Sequence, residues 1–265
     1  MGWIWLSTAA SRRSNVCRPR LVADLPAARK VIYRGTFTEG RHTTEFDVPR
    51  RRRLEININT DRINIMSYAI VGFGKIGQAL AHAFARKNID VTVASRRPPE
   101  ALAPQARAIG STVVAKSLRD ALEADTIILA VPFGEHREVA KALPNWKGKT
   151  VIDATNAFGV LPEELGGLPS SAFAAKSFTG AKFVKGFNHL GAATLATDPV
   201  VEGGHRVVFL SSDDEDAIAP VADLAKKLGF APVKLGKLNE GGALVHARGR
   251  TWGQLIFQDL FKKER

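Results

Sequence analysis

A mostly parallel α/β sheet with helices on both faces is the fold class this sequence predicts, and three features carry that prediction. From Ser67 onward, short apolar or β-branched runs alternate with stretches of helical periodicity. The run "DTIILAVP" is apolar without alternation, the pattern of a strand buried on both faces. The run "YAIVGFG" passes straight into glycines and then into a helical stretch. Strand and helix in this alternation give parallel strands joined by helical crossovers.

Each element follows from its residues. In "KIGQALAHAFARK" the residues Ile76, Leu80, Ala83 and Phe84 share one helical face. "IDVTVASRR" is a second β-branched strand, "EALAPQARAIG" a helix despite Pro104, and "TVVA" a short strand. "SLRDALEA" is helical with Ser117 as N-cap, "GEHREVAKAL" is helical, and "KTVIDATNA" is another strand. In the second half "AKFVKGF", "HRVVFLSS" and "APVKLG" read as strands. "DDEDAIAPVADLAKKLG" reads as a helix whose acids at the start and lysines at the end suit the macrodipole. Its four carboxylates, Asp213, Asp214, Glu215 and Asp216, are expected to be a solvated helix start and not a metal site. The apolar stretch "GGALVHARGRTWGQLIFQDLF" is expected to be helical in two pieces broken at Gly249, covering a cleft or the interface of a homodimer.

The residues before this pattern behave differently. Residues 1–66 hold 13 Lys and Arg against 6 Asp and Glu, much of the chain's net charge of +12, and show no sustained periodicity. They also hold Cys17, the one cysteine, so the sequence contains no disulfide framework. The acids Asp24, Glu39, Glu45, Asp47, Glu55 and Asp61 argue against a transit peptide, and no apolar run nears the roughly 20 residues that span a bilayer. The expected organisation is a disordered basic extension over 1–66, with Met66 as the natural first residue, a nucleotide-binding domain over 67–187 and a small α+β cap over 188–265. A cytoplasmic protein with a small-molecule partner, and with neither nucleic acid nor membrane as partner, is the corresponding expectation.

Gly72, Gly74 and Gly77 spell G-x-G-x-x-G between a strand and a helix, the context in which that pattern binds a dinucleotide. Gly72 would permit the tight turn, Gly74 would let backbone approach a diphosphate, and Gly77 would let helix pack on strand. The phosphates would rest on the free N–H groups of the helix starting near Lys75 and Ile76, with Phe73 in the turn. After the second strand a carboxylate would select the 2′-hydroxyl of NAD; here stand Ser95, Arg96 and Arg97, which suit the 2′-phosphate of NADP(H). No carboxylate is near in sequence before Glu100. The fold class is therefore a Rossmann-type doubly wound parallel sheet with a small C-terminal cap part.

The remaining candidates sit in loops at the carboxyl ends of strands, where open α/β sheets bind ligands. Ala130, Val131 and Pro132, then Thr155 and Asn156, would complete the cofactor site. Asn156, Asn188 and His189 are the catalytic candidates: two amides to hold a nicotinamide or a second ring, and one histidine as candidate proton donor. Phe133 is expected to pack, and His246, Arg248 and Arg250 form a basic cluster. No H-E-x-x-H or G-x-S-x-G pattern occurs, so neither zinc hydrolysis nor serine acyl transfer is indicated.

The segments "GFGKIGQAL", "VASRRPPEAL", "ADTIILAVP", "KTVIDATNA", "AKFVKGFNHL" and "VVFLSSDDEDA" together resemble the coenzyme F420-dependent NADP oxidoreductase family, with the reductase domain of the STEAP metalloreductases as a more distant likeness. The resemblance spans nearly all of 66–265 and is most specific at Asp153–Asn156 and Lys185–Asn188. It implies NADP(H) as cofactor and hydride exchange with F420 or a flavin as co-substrate. One departure is Ala157, where the family usually has proline. Two other readings of the residues remain beside it: an NADPH-dependent imine or carbonyl reductase using His189 as acid, and an NADPH sensor without turnover.

Overall fold

Continuous apolar runs in the strands set the layering. The computed structural model describes residues 66–247, 249 and 251–263, so the extension expected over 1–66 lies, but for Met66, outside the described residues, as do Arg248 and Arg250. Strands β1 (Tyr68–Val71), β2 (Val91–Ala94), β3 (Val113–Ala115), β4 (Thr126–Leu129), β5 (Thr150–Asp153) and β6 (Lys182–Lys185) pair in parallel in the order β3-β2-β1-β4-β5-β6. On one face Ile70, Ile128, Ile152 and Val184 meet Leu80, Phe84 and Leu102. On the other, Val71, Ile127, Leu129, Val151 and Phe183 meet Leu122, Trp146 and Phe178. Both faces are covered, as continuous apolar strands require.

Crossover helices account for the cover. Helix α1 (Lys75–Arg86) follows β1, and α2 (Pro99–Ile109) follows β2. Short α3 (Leu118–Ala121) is capped as its sequence predicts, the Ser117 Oγ accepting from the Asp120 N–H at 3.1 Å. Helices α4 (His136–Ala140), α5 (Ser170–Ala175) and α6 (Ala192–Ala196) are short, and α6 packs on α1. The chain runs outward from β1 to β3 and returns to the opposite side of β1 as β4. The carboxyl ends of β1 and β4 are therefore a topological switch point.

Beyond β6 the sheet continues antiparallel. Two-residue β7 (Val200–Val201) precedes the long strand β8 (Gly204–Ser212), which pairs with β6 through Ser211 and Ser212. Helix α7 (Glu215–Lys227) returns the chain to β9 (Ala231–Lys234), parallel to β8. Asp214 caps α7, accepting from the Asp216 N–H at 3.0 Å, and Asp213 accepts from the Leu238 N–H at 2.9 Å, so these acids serve a helix start and a loop.

The C-terminal stretch differs from its expected two helices. Only single turns form, α8 (Gly241–Leu244) and α9 (Trp252–Leu255), and the chain then extends as β10 (Phe261–Lys263) against the start of β8. An edge strand offering unpaired N–H and C=O groups captured residues that helical periodicity alone assigned elsewhere. No helix among the described residues is long and apolar enough to cross a membrane.

Candidate active site

The nucleotide half of the site is built by the switch point. Gly72 sits at φ +102°, and a Cβ there would lie 2.4 Å from the Ala130 carbonyl oxygen. At Gly77 a Cβ would lie 1.9 Å from the Gly72 carbonyl oxygen, so helix α1 crosses β1 as closely as it does only because that position is bare. At Gly74 a Cβ would meet nothing within 4 Å. That glycine is unexplained by packing and leaves open space over the start of α1. The helix has no side-chain N-cap and no acid in its first turn, so its free N–H groups at Lys75, Ile76 and Gly77 present an uncompensated positive end. A diphosphate is the group this cradle fits.

A cleft of about 420 Å³ opens from it, lined by Gly72, Phe73 and Gly74, by Ser95, Arg96 and Arg97, and by Ala130, Val131 and Pro132. These come from the carboxyl ends of β1, β2 and β4. Ser95 Oγ accepts from the Arg97 N–H at 3.0 Å, which shapes the turn that projects both arginines. Leu118 and Val139 add apolar walls. Two further linings, Glu135 and Glu138, come from the segment after β4, and Arg96 Nη1 lies 3.1 Å from Glu135 Oε1. The absence of a carboxylate near in sequence did not extend to space: the fold places Glu135 against the arginine meant for phosphate. Arg96 is 83% exposed, so this pair is held weakly and can open. The residues fit NADP(H), whose 2′-phosphate the guanidinium of Arg96 would take in place of Glu135.

The second half of the site is built by β5 and β6. Their last residues, Asp153 and Lys185, are register partners, and both are buried. Lys185 Nζ lies 3.2 Å from Asp153 Oδ2 and also donates to the Thr155 carbonyl. Asp153 Oδ1 accepts from the Thr155 N–H at 2.9 Å and from Thr155 Oγ1 at 2.6 Å. Burial pushes the Lys185 pKa down, and the Asp153 carboxylate pulls it back up. Each strand then delivers an asparagine. Asn156 Nδ2 donates to the Asn188 carbonyl at 2.8 Å, and Asn188 Nδ2 donates to Asn156 Oδ1 at 3.0 Å and to the Val245 carbonyl at 2.9 Å. Asn188 Oδ1 is buried without a partner. An ion pair and an amide pair thus bind the two loops together at two levels. The hydroxyl, N–H and carbonyl of Thr155, expected to line the cofactor site, are all engaged inside this clamp.

His189 lies elsewhere. It is fully buried, its ring 4.8 Å from that of Phe209, and neither ring nitrogen has a hydrogen-bond partner among the described residues. Burial pushes its pKa down to about 4, against weaker opposition from the Val207 backbone and Asp259. His246 is half-buried; its Nδ1 accepts from the Ser170 N–H at 3.2 Å, and burial followed by the nearby Lys185 charge lowers its pKa. Phe133 packs against His136 and Phe173.

Comparison with known proteins bears on the family and the cofactor. The sequence profile of the family described as NADP oxidoreductase, coenzyme F420-dependent, matches residues 67–157. A crystal structure of hypothetical protein SMa0349 from Sinorhizobium meliloti is 40% identical, covering 75% of this chain and 96% of that one, with a TM-score of 0.70. The structure of a proposed F420-dependent NADP-reductase from Arthrobacter sp. FB24 is 25% identical, covering 65% of this chain and 86% of that one, with a TM-score of 0.54. The chain belongs to the coenzyme F420-dependent NADP oxidoreductase family. Metalloreductase STEAP3 of Rattus norvegicus is 28% identical over 171 residues, 64% of this chain and 33% of its own length. This oxidoreductase thus spans about a third of that curated relative.

Two outcomes follow from the geometry. Arg96→Ala should weaken NADPH about ten- to a hundredfold, the loss of a charge-assisted bond, and leave NADH nearly unchanged. Glu135→Gln should tighten NADPH a few-fold by freeing Arg96; calorimetric titration with both nucleotides measures each, and equal losses for NADPH and NADH in Arg96→Ala would refute the assignment. The second concerns His189. An unfolded chain protonates this ring near pH 6.5 and the folded one only near 4, so stability is complete above about 6.5 and falls as pH drops through that window. Between pH 7 and 5 the wild type should lose about 2 kcal/mol relative to His189→Leu in urea unfolding. Parallel curves would show that the ring is not held neutral by burial.

Proposed function

We propose that this oxidoreductase transfers a hydride between NADPH and a flavin or deazaflavin ring of the F420 type by holding the two rings face to face. The observation that carries the reading is the state of His189, the histidine carried by the Asn188 loop: it is buried, neutral and turned into the core. An acceptor that needed a protein acid would not be served by it. Bound NADPH supplies the hydride, and a flavin-type ring takes it up with the charge spread over its own atoms and the balancing proton drawn from solvent.

The chain's own residues supply position, the main source of rate in such a reaction. The glycine turn and helix α1 fix the diphosphate end of the cofactor. The clamp of Asp153, Lys185, Asn156 and Asn188 fixes the loops that would flank the reacting rings. An imine or carbonyl reductase is the alternative. It would need a proton donor, and His246, half-buried near Lys185, is the histidine that the described residues leave for that role.

The test is turnover with NADPH and, separately, FMN, FAD, F420 and ferric chelates, the last because related proteins bear the name metalloreductase. His189→Ala should cost less than about tenfold in turnover, since a buried neutral ring donates nothing. Asn156→Leu should cost about 10²-fold, the scale of a displacement of about 1 Å between reacting groups. Loss of about 10²- to 10⁴-fold in His189→Ala, or in His246→Phe, with NADPH affinity intact, would mark a general acid and move the reading to imine or carbonyl reduction.

A further inference from the structure

Four residues other than glycine have positive φ among those described: Asn88, Phe187, Glu202 and Phe257. Asn88 and Glu202 are polar turn residues, for which this is ordinary. The two phenylalanines are not, and both belong to the acceptor side of the site. Phe187, at φ +60°, is buried against Phe230 and directs the chain into Asn188. Phe257, at φ +63°, has no such reason: its side chain stands in solvent, 53% exposed.

Phe257 is held there by its N–H, which donates to the His189 carbonyl. Its ring lies beside that of Phe158, which follows Asn156 by two positions and is 49% exposed. The rings are close to parallel, at 21°, with centroids 6.2 Å apart. One ring is thus tied to the Asn156 loop and the other to the Asn188–His189 loop. A strained backbone that presents a ring to water, next to a second exposed ring, is a cost that packing within the chain does not offset.

We propose that Phe158 and Phe257 form a stacking platform for the fused planar ring of the hydride acceptor. It would receive the part of a tricyclic heteroaromatic ring that does not react, leaving the reacting edge beside the Asn156–Asn188 pair. The identity of the acceptor rests on the function proposed above; the platform names where its ring binds. Two nearly parallel exposed rings offer apolar π-surface on the scale of a fused aromatic ring, and π-faces stack without demanding particular hydrogen bonds. It is small beside the roughly 800 Å² per partner that a stable dimer buries.

The experiment uses the full chain. Phe257→Gly keeps the left-handed backbone at no steric cost, so the fold should hold, with melting temperature unchanged or raised. Phe158→Leu keeps apolar bulk and removes the ring. Each variant should raise KM about tenfold for whichever of FMN, riboflavin or F420 the wild type reduces, with NADPH affinity unchanged within about twofold. Fluorescence titration of the same three compounds against the NADP⁺-loaded chain, without turnover, should show the same weakening. If the wild type reduces one of them and both variants keep its KM, the platform is wrong and the functional reading stands. If the wild type neither binds nor reduces any of them, the reading fails and the platform falls with it. Should sedimentation show instead a dimer that the variants dissociate, with acceptor KM unchanged, the pair is a contact between two copies of the chain and the inference is overturned.

Discussion

A buried ion pair ties together the two loops proposed to flank the hydride acceptor. Asp153 is 0% and Lys185 1% exposed, at the ends of adjacent central strands. Bringing each charge out of water costs several kcal/mol, which mutual attraction repays only when the remaining donors and acceptors are also satisfied. Here they are: both carboxylate oxygens and the ammonium find partners, and three of those contacts run to Thr155. The pair therefore does more than join two strands. It dictates the path of the backbone that leaves β5, and parallel register carries the same constraint to β6. Each chain emerges to place an asparagine, and those two asparagines close on each other.

The nucleotide side obeys opposite rules. Its specificity elements are exposed, and its main device is the removal of side chains, at Gly72 and Gly77 for close approach and at Gly74 for open space. Affinity there would come from oriented N–H groups and exposed guanidiniums acting on a ligand that brings its own charge. The contact of Arg96 with Glu135 belongs to that logic: an exposed arginine with a local partner is easily redirected to a stronger anion. One half of the site is thus preset by burial, while the other is completed by its ligand. Between them the loop after β4, with Ala130 to Pro132, lines the cleft at the switch point.

The parallel core was legible because burial on two faces writes itself as uninterrupted apolar runs, and the glycine turn because each glycine has a local steric cause. The ends of the chain were less so. Residues 241–261 carry helical spacing, yet only single turns formed at Gly241–Leu244 and Trp252–Leu255, and the open edge of β8 took Phe261 as a strand residue. Glu135 was missed because it meets Arg96 only through the fold, 39 positions away. The clamp left a trace that could have been read. "TVID" and "KFVK" each end on a charge after two apolar residues, and the charges are opposite. What no single sequence shows is register, which puts those two ends side by side.

The central claim is that the ion pair positions the acceptor loops and does not merely stabilise the fold. The direct measurement is a mutant cycle read twice, in unfolding free energy and in hydride-transfer rate with saturating NADPH. Lys185→Met alone should destabilise by about 3–5 kcal/mol, because it strands a buried carboxylate, and the double variant Asp153→Leu with Lys185→Met should recover most of that stability. The rate should stay low in the double variant, since the Thr155 backbone has lost its anchor on both sides. A double variant that regains stability and rate together would contradict the account.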